Sequence, residues 1–230
     1  MKKYELTEEP KVIGGKTVFR IRALRSFGDI KAGDLGGFIE NERNLSHGGN
    51  AWVGGNAQVN GYAQVGGNAW VEDNAQVGGN ARVSGDAWVN GDARVNGDAW
   101  VEDNARVDGD AWVGGYARVN GDAQVVGDAR VDGNAQVGGD AWVGGNARVG
   151  GDGLINSDND YLCEKGLGSH NRSASFFKCK DGHIHVLCGC FDGNLDEFEN
   201  KVKEEHGNSK YAKEYLGFIE VVKTHFEVRQ

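Results

Sequence analysis

Asn50-Ala-Trp-Val-Gly-Gly-Asn-Ala-Gln-Val-Asn-Gly-Tyr-Ala-Gln-Val65 opens a six-residue phrase, Gly-Asn/Asp-Ala-x-Val-x, that continues without a break to Ile155. Valine stands at 53, 59, 65 and every sixth position to 149, and Ile155 takes the next place. Alanine keeps an offset of two residues before each valine from Ala51 to Ala147, until Gly153 replaces it. A period this strict describes an array of identical small structural units.

Within each unit, Ala-x-Val alternates small apolar, variable and branched apolar, the period-two signature of a very short strand with one buried face. Alanine and valine are therefore predicted to point inward, and the residue between them, always Trp, Gln or Arg from 52 to 148, to point outward. Gly, Asn or Asp follows each strand. These residues reach left-handed backbone angles at the lowest cost, so every hexad ends in a corner. No hexad can bury its own valine, but stacked coils can, with the backbone pairing between coils about 4.8 Å apart.

Val53-Gly-Gly-Asn-Ala-Gln58 and its copies resemble the hexapeptide repeat of left-handed parallel β-helices, in which three hexads make one triangular coil. That resemblance implies a mainly β fold. It does not select a function, since acyltransferases, γ-class carbonic anhydrases and non-catalytic proteins share the repeat. With its opening segments Phe19-Arg-Ile-Arg-Ala-Leu24 and Gly33-Asp-Leu-Gly-Gly-Phe-Ile39, the chain resembles YdcK-like hexapeptide proteins of bacterial, prophage and phage genomes. No settled biochemical activity follows from this second likeness.

Three regions are expected: an N-terminal cap over 1–47, the hexapeptide-repeat β-helix over 48–155 and a C-terminal α+β module over 156–230. Three valines per coil predict about six coils and a rod about 30 Å long. The cap should contain a hairpin turning at Gly14-Gly15, with Phe19, Ile21 and Ala23 on one face and Arg20 and Arg22 on the other. From Gly28 to Leu45 the hexad is degenerate, with Ile30, Leu35 and Ile39 as candidate inward residues, as expected of a segment that covers an open edge. Arg20, Arg22 and Arg25 are a candidate anion site, read first as a solvated strand face. Val126 and the tyrosines at 62 and 116 are candidate docking points for the caps.

In the last quarter, Ser173–Cys179 and His183–Cys190 read as a second hairpin around an Asp181-Gly182 turn. Placing 180 opposite 183 puts Phe177, Cys179, Ile184, Val186, Cys188 and Cys190 on one buried face. Asn194-Leu-Asp-Glu197 is a capping box opening a helix to about His206, and a second helix follows from about Ser209 to Phe226, which completes a ββαα module.

Formal charge is +2 over 1–47, −8 over 48–155 and −3 over 156–230, for a net −9. An acidic rod does not favour nucleic acid through its general field. No stretch is apolar for 18 residues and the first ten residues lack the apolar core of a signal peptide, so no membrane association and a cytoplasmic location are expected. The cysteines at 163, 179, 188 and 190 are sparse and read as reduced thiols. The corner Asp and Asn residues invite a calcium reading, but the calcium-binding repeat of this general kind is nine residues long, so turn chemistry is preferred.

Sorting the outward position by the 18-residue coil gives three columns. One reads Trp52, Trp70, Trp88, Arg106, Gln124, Trp142. Outward aromatics in consecutive coils are either a contact surface, with a protein partner or a second copy, or stacking that stabilises adjacent coils. Trp52, Trp70, Trp88, Arg106 and Trp142 are therefore the candidate binding residues.

No catalytic residue can be assigned. An acyltransferase of this fold class would be expected, from the resemblance, to carry a histidine near a loop that breaks the coils. The region 48–155 has neither a histidine nor an insertion, and His47 just before it is read as a cap residue. A γ-class carbonic anhydrase would need three histidine ligands, which the rod lacks. His183 and His185 share a face predicted to lie opposite the cysteines, so the obvious ligands do not converge and no metal or other cofactor is expected. These observations favour a non-enzymatic binding or scaffold protein, with a hexapeptide acyltransferase as the alternative.

Overall fold

The computed structural model describes residues 2–227. The chain begins with three strands, β1 (Tyr4–Ile13), β2 (Lys16–Ala23) and β3 (Leu35–Ile39). Eighteen two-residue strands follow, one per hexad, from β4 (Trp52–Val53) through β5 (Gln58–Val59) and β6 (Gln64–Val65) to β21 (Leu154–Ile155). Strands three places apart pair in parallel, so that Trp52 lies on Trp70 and Val53 on Val71, and the hexads wind into a three-faced parallel β-solenoid. Six coils are regular, and the end of β3 adds part of another by pairing Phe38 with Gln58 and Ile39 with Val59. The inward alanines and valines are all buried. Each buried valine contributes about 1.5–3 kcal/mol, and it does so only because coils lie above and below it.

Corners close with a four-residue turn, such as Ala57 N–H to Gly54 O, with Gly55 at φ +57°. Asp73 and Asp103 take the same left-handed place at φ 55° and 61°. Each helps to hold its corner through a carboxylate that accepts from an amide one coil away, Gly91 N–H at 3.2 Å and Gly121 N–H at 3.1 Å. Asn side chains donate to Asp across coils, Asn74 to Asp92, Asn80 to Asp98 and Asn104 to Asp122, each at 2.9 Å. These bonds give the corner carboxylates a structural task.

Between coils, each strand donates amides to carbonyls of the following coil, as Trp70 N–H does to Ala87 O. The first coil therefore has carbonyls to satisfy, and the last coil has N–H groups. The N-terminal cap supplies donors. Phe38 N–H reaches Ala57 O, the Lys3 ammonium reaches Ala51 O at 2.7 Å, and the Asn44 amide reaches Ala63 O at 2.9 Å. Lys3 is 0 % exposed and lies 5.0 Å from the Phe27 ring centre. The C-terminal segment supplies acceptors instead: Asp158 for Trp142 N–H at 2.7 Å, Ser175 Oγ for Arg148 N–H at 2.8 Å and Asp160 for Asn156 N–H at 3.0 Å.

Two expectations for the cap need correction. Leu35 is 57 % exposed, and Val18 rather than Phe19 is buried beside Ile21. A register shift between Arg20 and Arg22 in the β2–β3 pairing breaks strict alternation, and Gly36 and Gly37, not Leu35, lie against the first coil. A Cβ on Gly36 would come within 2.5 Å of Val53 O. Ile39 and Leu45 are inward as the cap requires, and Ile30 packs partly buried on the same core. Arg22 pairs with Glu5 and Arg20 donates to Gly36 O, so these cations serve the cap.

The C-terminal module has four strands, not two: β22 (Tyr161–Leu167), β23 (Arg172–Lys178), β24 (Ile184–Cys188) and β25 (Phe191–Asn194), antiparallel in chain order, then α1 (Leu195–His206) and α2 (Lys210–His225). Lys178 pairs with Ile184 and Phe177 with His185. This is one residue away from the sequence reading, and a one-residue slip exchanges the faces. Ala174, Phe176, Val186 and Cys188 meet Phe198, Tyr215, Ile219 and Val222 of the helices, whereas Phe177 and Cys179 lie on the last coil. Cys190 is exposed, not buried.

Candidate functional site

The column headed by Trp52 does not form one open stripe. Trp52 is 2 % exposed, covered by the cap, with its ring 5.5 Å from that of Phe27. Trp70 and Trp88 stack at 6.2 Å, and the Arg106 guanidinium lies 5.6 Å from the Trp88 ring. Trp88 is 42 % exposed and Trp142 56 %. Trp142 stands apart from the ladder, beyond Arg106 and Gln124, and lines a cleft with Tyr161 and His225 where the module meets the rod. On another face, Trp100 lies between Arg82 at 4.9 Å and Arg118 at 5.0 Å. Stacking between coils thus engages three of the six outward tryptophans, Trp70, Trp88 and Trp100, while Trp88 and Trp142 keep large free areas. Of the other candidate docking points, Tyr62 and Tyr116 are both 66 % exposed, and Tyr62 meets the cap residue Arg43 at 4.4 Å.

His47 is built into the cap. Its ring stacks on Tyr4 at 4.4 Å and its Nδ1 accepts the Lys3 amide at 3.2 Å. Burial lowers its pKa, and Lys2 and Lys3 act in the same direction against Glu42.

The register of β23 and β24 creates a cluster that the sequence reading placed on opposite faces. Ligand atoms of Cys179, His183 and His185 lie within 4.8 Å of one another. Asp181 Oδ1 touches His183 Nδ1, His183 Nε2 faces His185 Nδ1 at 3.4 Å, and His185 Nε2 meets Asp192 Oδ1 at 2.7 Å. The turn is held by Gly182 N–H to Cys179 O and Cys179 N–H to His183 O. The cluster opens into a cleft of about 710 Å³ lined also by Asp152, Asn194 and Glu197. Burial, with Asp181 and Asp152 nearby, pushes the Cys179 thiol up to about 11. A thiol so protonated is a poor nucleophile by itself. The turn residues and Cys-x3-His-x-His spacing were visible in the sequence, but their convergence depended on the register.

Fold and repeat together define a solenoid repeat protein. Within it, residues 75–91, about one coil, match the family model of the YdcK Beta solenoid repeat. No curated protein matches the chain. Among the described residues, no helix is long and apolar enough to cross a membrane.

Proposed function

We propose that this protein is a non-catalytic binding scaffold, in which the solenoid holds the Trp70–Trp88–Arg106 ladder and Trp142 toward a protein partner. The observation that carries this reading is the exposed Trp88 ring, fixed between Trp70 and Arg106 on a backbone with no insertions. An aromatic held this way loses little further freedom on binding, and such anchors often carry about 2 kcal/mol or more of interface energy. A phage-derived inhibitor of a host defence or nucleic-acid enzyme is one concrete form, supported by the family resemblance and by the acidic rod. The acyltransferase alternative gains no support from His47, whose ring stacks on Tyr4 and accepts the Lys3 amide as part of the cap.

Gln occupies equivalent outward positions at 58, 64, 76, 124 and 136. Trp70→Gln with Trp88→Gln is therefore expected to leave the circular dichroism spectrum unchanged while weakening partner capture from lysate by about tenfold or more. Unchanged capture and unchanged oligomer mass by light scattering would remove the ladder from the contact surface.

A further inference from the structure

We infer that Cys179, His183 and His185 form a binding site for a divalent transition metal, zinc in the first instance, at the junction between the last coil and the C-terminal sheet. Asp181 engages His183 Nδ1 and Asp192 engages His185 Nε2. A carboxylate at an imidazole nitrogen favours the tautomer with its proton there, which turns the lone pair of the other nitrogen outward. In those tautomers His183 Nε2 and His185 Nδ1, which face each other at 3.4 Å, both present lone pairs to the space between them. Two opposed lone pairs at that distance repel unless a cation lies between them.

The spacing matches such an ion. Two nitrogens at about 2.0–2.1 Å from a tetrahedral zinc are themselves about 3.4 Å apart. Cys179 Sγ lies toward the same point, with the three ligand atoms no more than 4.8 Å from one another against about 3.5 Å for nitrogen and sulfur in a closed tetrahedron. An inward movement of the sulfur by about an ångström closes the set. The thiol loses its proton to solvent on binding, as a zinc ligand must. Carboxylate–histidine pairs on both imidazoles are the usual outer support of such a site, and the cleft beside Asp152 leaves the fourth position open to water or an anion. Two nitrogens and one sulfur select zinc or cobalt over calcium or magnesium. The site would pin the Cys179–His185 turn over the rod end, independently of the tryptophan ladder.

Full-length protein stripped with EDTA is titrated with cobalt and then with zinc, with metal content read by mass spectrometry. The expected result is one ion per chain, with visible bands of four-coordinate cobalt and a thiolate charge-transfer band that Cys179→Ser abolishes. Asp181→Asn and Asp192→Asn should each weaken affinity by about 10- to 100-fold. Because Cys179 is buried and its variant can unfold, the partly exposed pair His183→Gln with His185→Gln provides the second arm and should release the metal from a folded protein. A wild-type cobalt spectrum like that of the aqueous ion, or metal retained undiminished in the double histidine variant, would overturn the assignment and leave the imidazoles sharing a proton.

Discussion

Gly153 stands where every earlier hexad has alanine, and the reason lies in the residue above it. A Cβ there would approach Val149 Cγ1 to 2.7 Å and the Phe177 ring to 3.1 Å. Phe177 is the plug that closes the interior column, since no further coil covers Ile155. Gly153→Ala therefore restores the repeat while crowding its lid, and is expected to lower stability by about 1–3 kcal/mol in urea denaturation. The reverse change in mid-rod, Ala93→Gly, should also destabilise, through lost packing and greater backbone freedom in the unfolded chain. A Gly153→Ala variant as stable as the wild type would mean that Phe177 does not sit as tightly as described.

At the scale of elements, α1 is fixed at its start by Asn194, whose side chain accepts Glu197 N–H at 2.9 Å, and along its length by Glu199. Lys203 and then Lys223 of α2, the latter at 2.9 Å, hold the Glu199 carboxyl below its ordinary value. A depressed carboxyl contributes stability that is fully present above its unfolded pKa and is lost as pH falls through the folded one. Acidification below the usual glutamate range should thus loosen the helix pair first, and Glu199→Gln should flatten that acid limb in melts followed by helical ellipticity. Both helices were legible in the sequence, because the capping box and the apolar stripe are local signals. The solenoid was legible for the same reason, each hexad repeating its own evidence. β22, with Gly166 inside it, and the short Phe191–Asn194 strand lack clean alternation, so half of the C-terminal sheet was missed. The β23–β24 register was misread by one residue, because the turn pairs Cys179 with His183. That slip separated on paper the three side chains that converge in space. The outward tryptophans and the arginines next to them in the same columns were legible from the 18-residue spacing, but the burial of Trp52 was set by the cap.

For the whole molecule, the opposite polarity of the two rod ends matters most. One end offers carbonyls, the other N–H groups, and the two caps satisfy them with groups of the opposite hydrogen-bonding sense, backbone amides and side chains at the first end and side chains at the second. Residues 51–155 alone would leave both edges bare and mutually complementary, and such edges add head to tail without closing. This fragment is expected to form filaments visible by electron microscopy, whereas the full chain stays dispersed. A dispersed, folded fragment would show that the caps are not what blocks growth. The regular hexad has a further consequence for how the two ends are oriented. Each hexad carries the chain around one face, so gain or loss of a single hexad in mid-rod preserves every local environment at both caps. It changes the bearing of the C-terminal module by one third of a turn about the axis while shifting it by only one third of a coil. Length and azimuth are thus geared together like a nut on a thread, and repeat number sets the direction in which Trp142 and the Cys179 cleft point relative to the N-terminal hairpin.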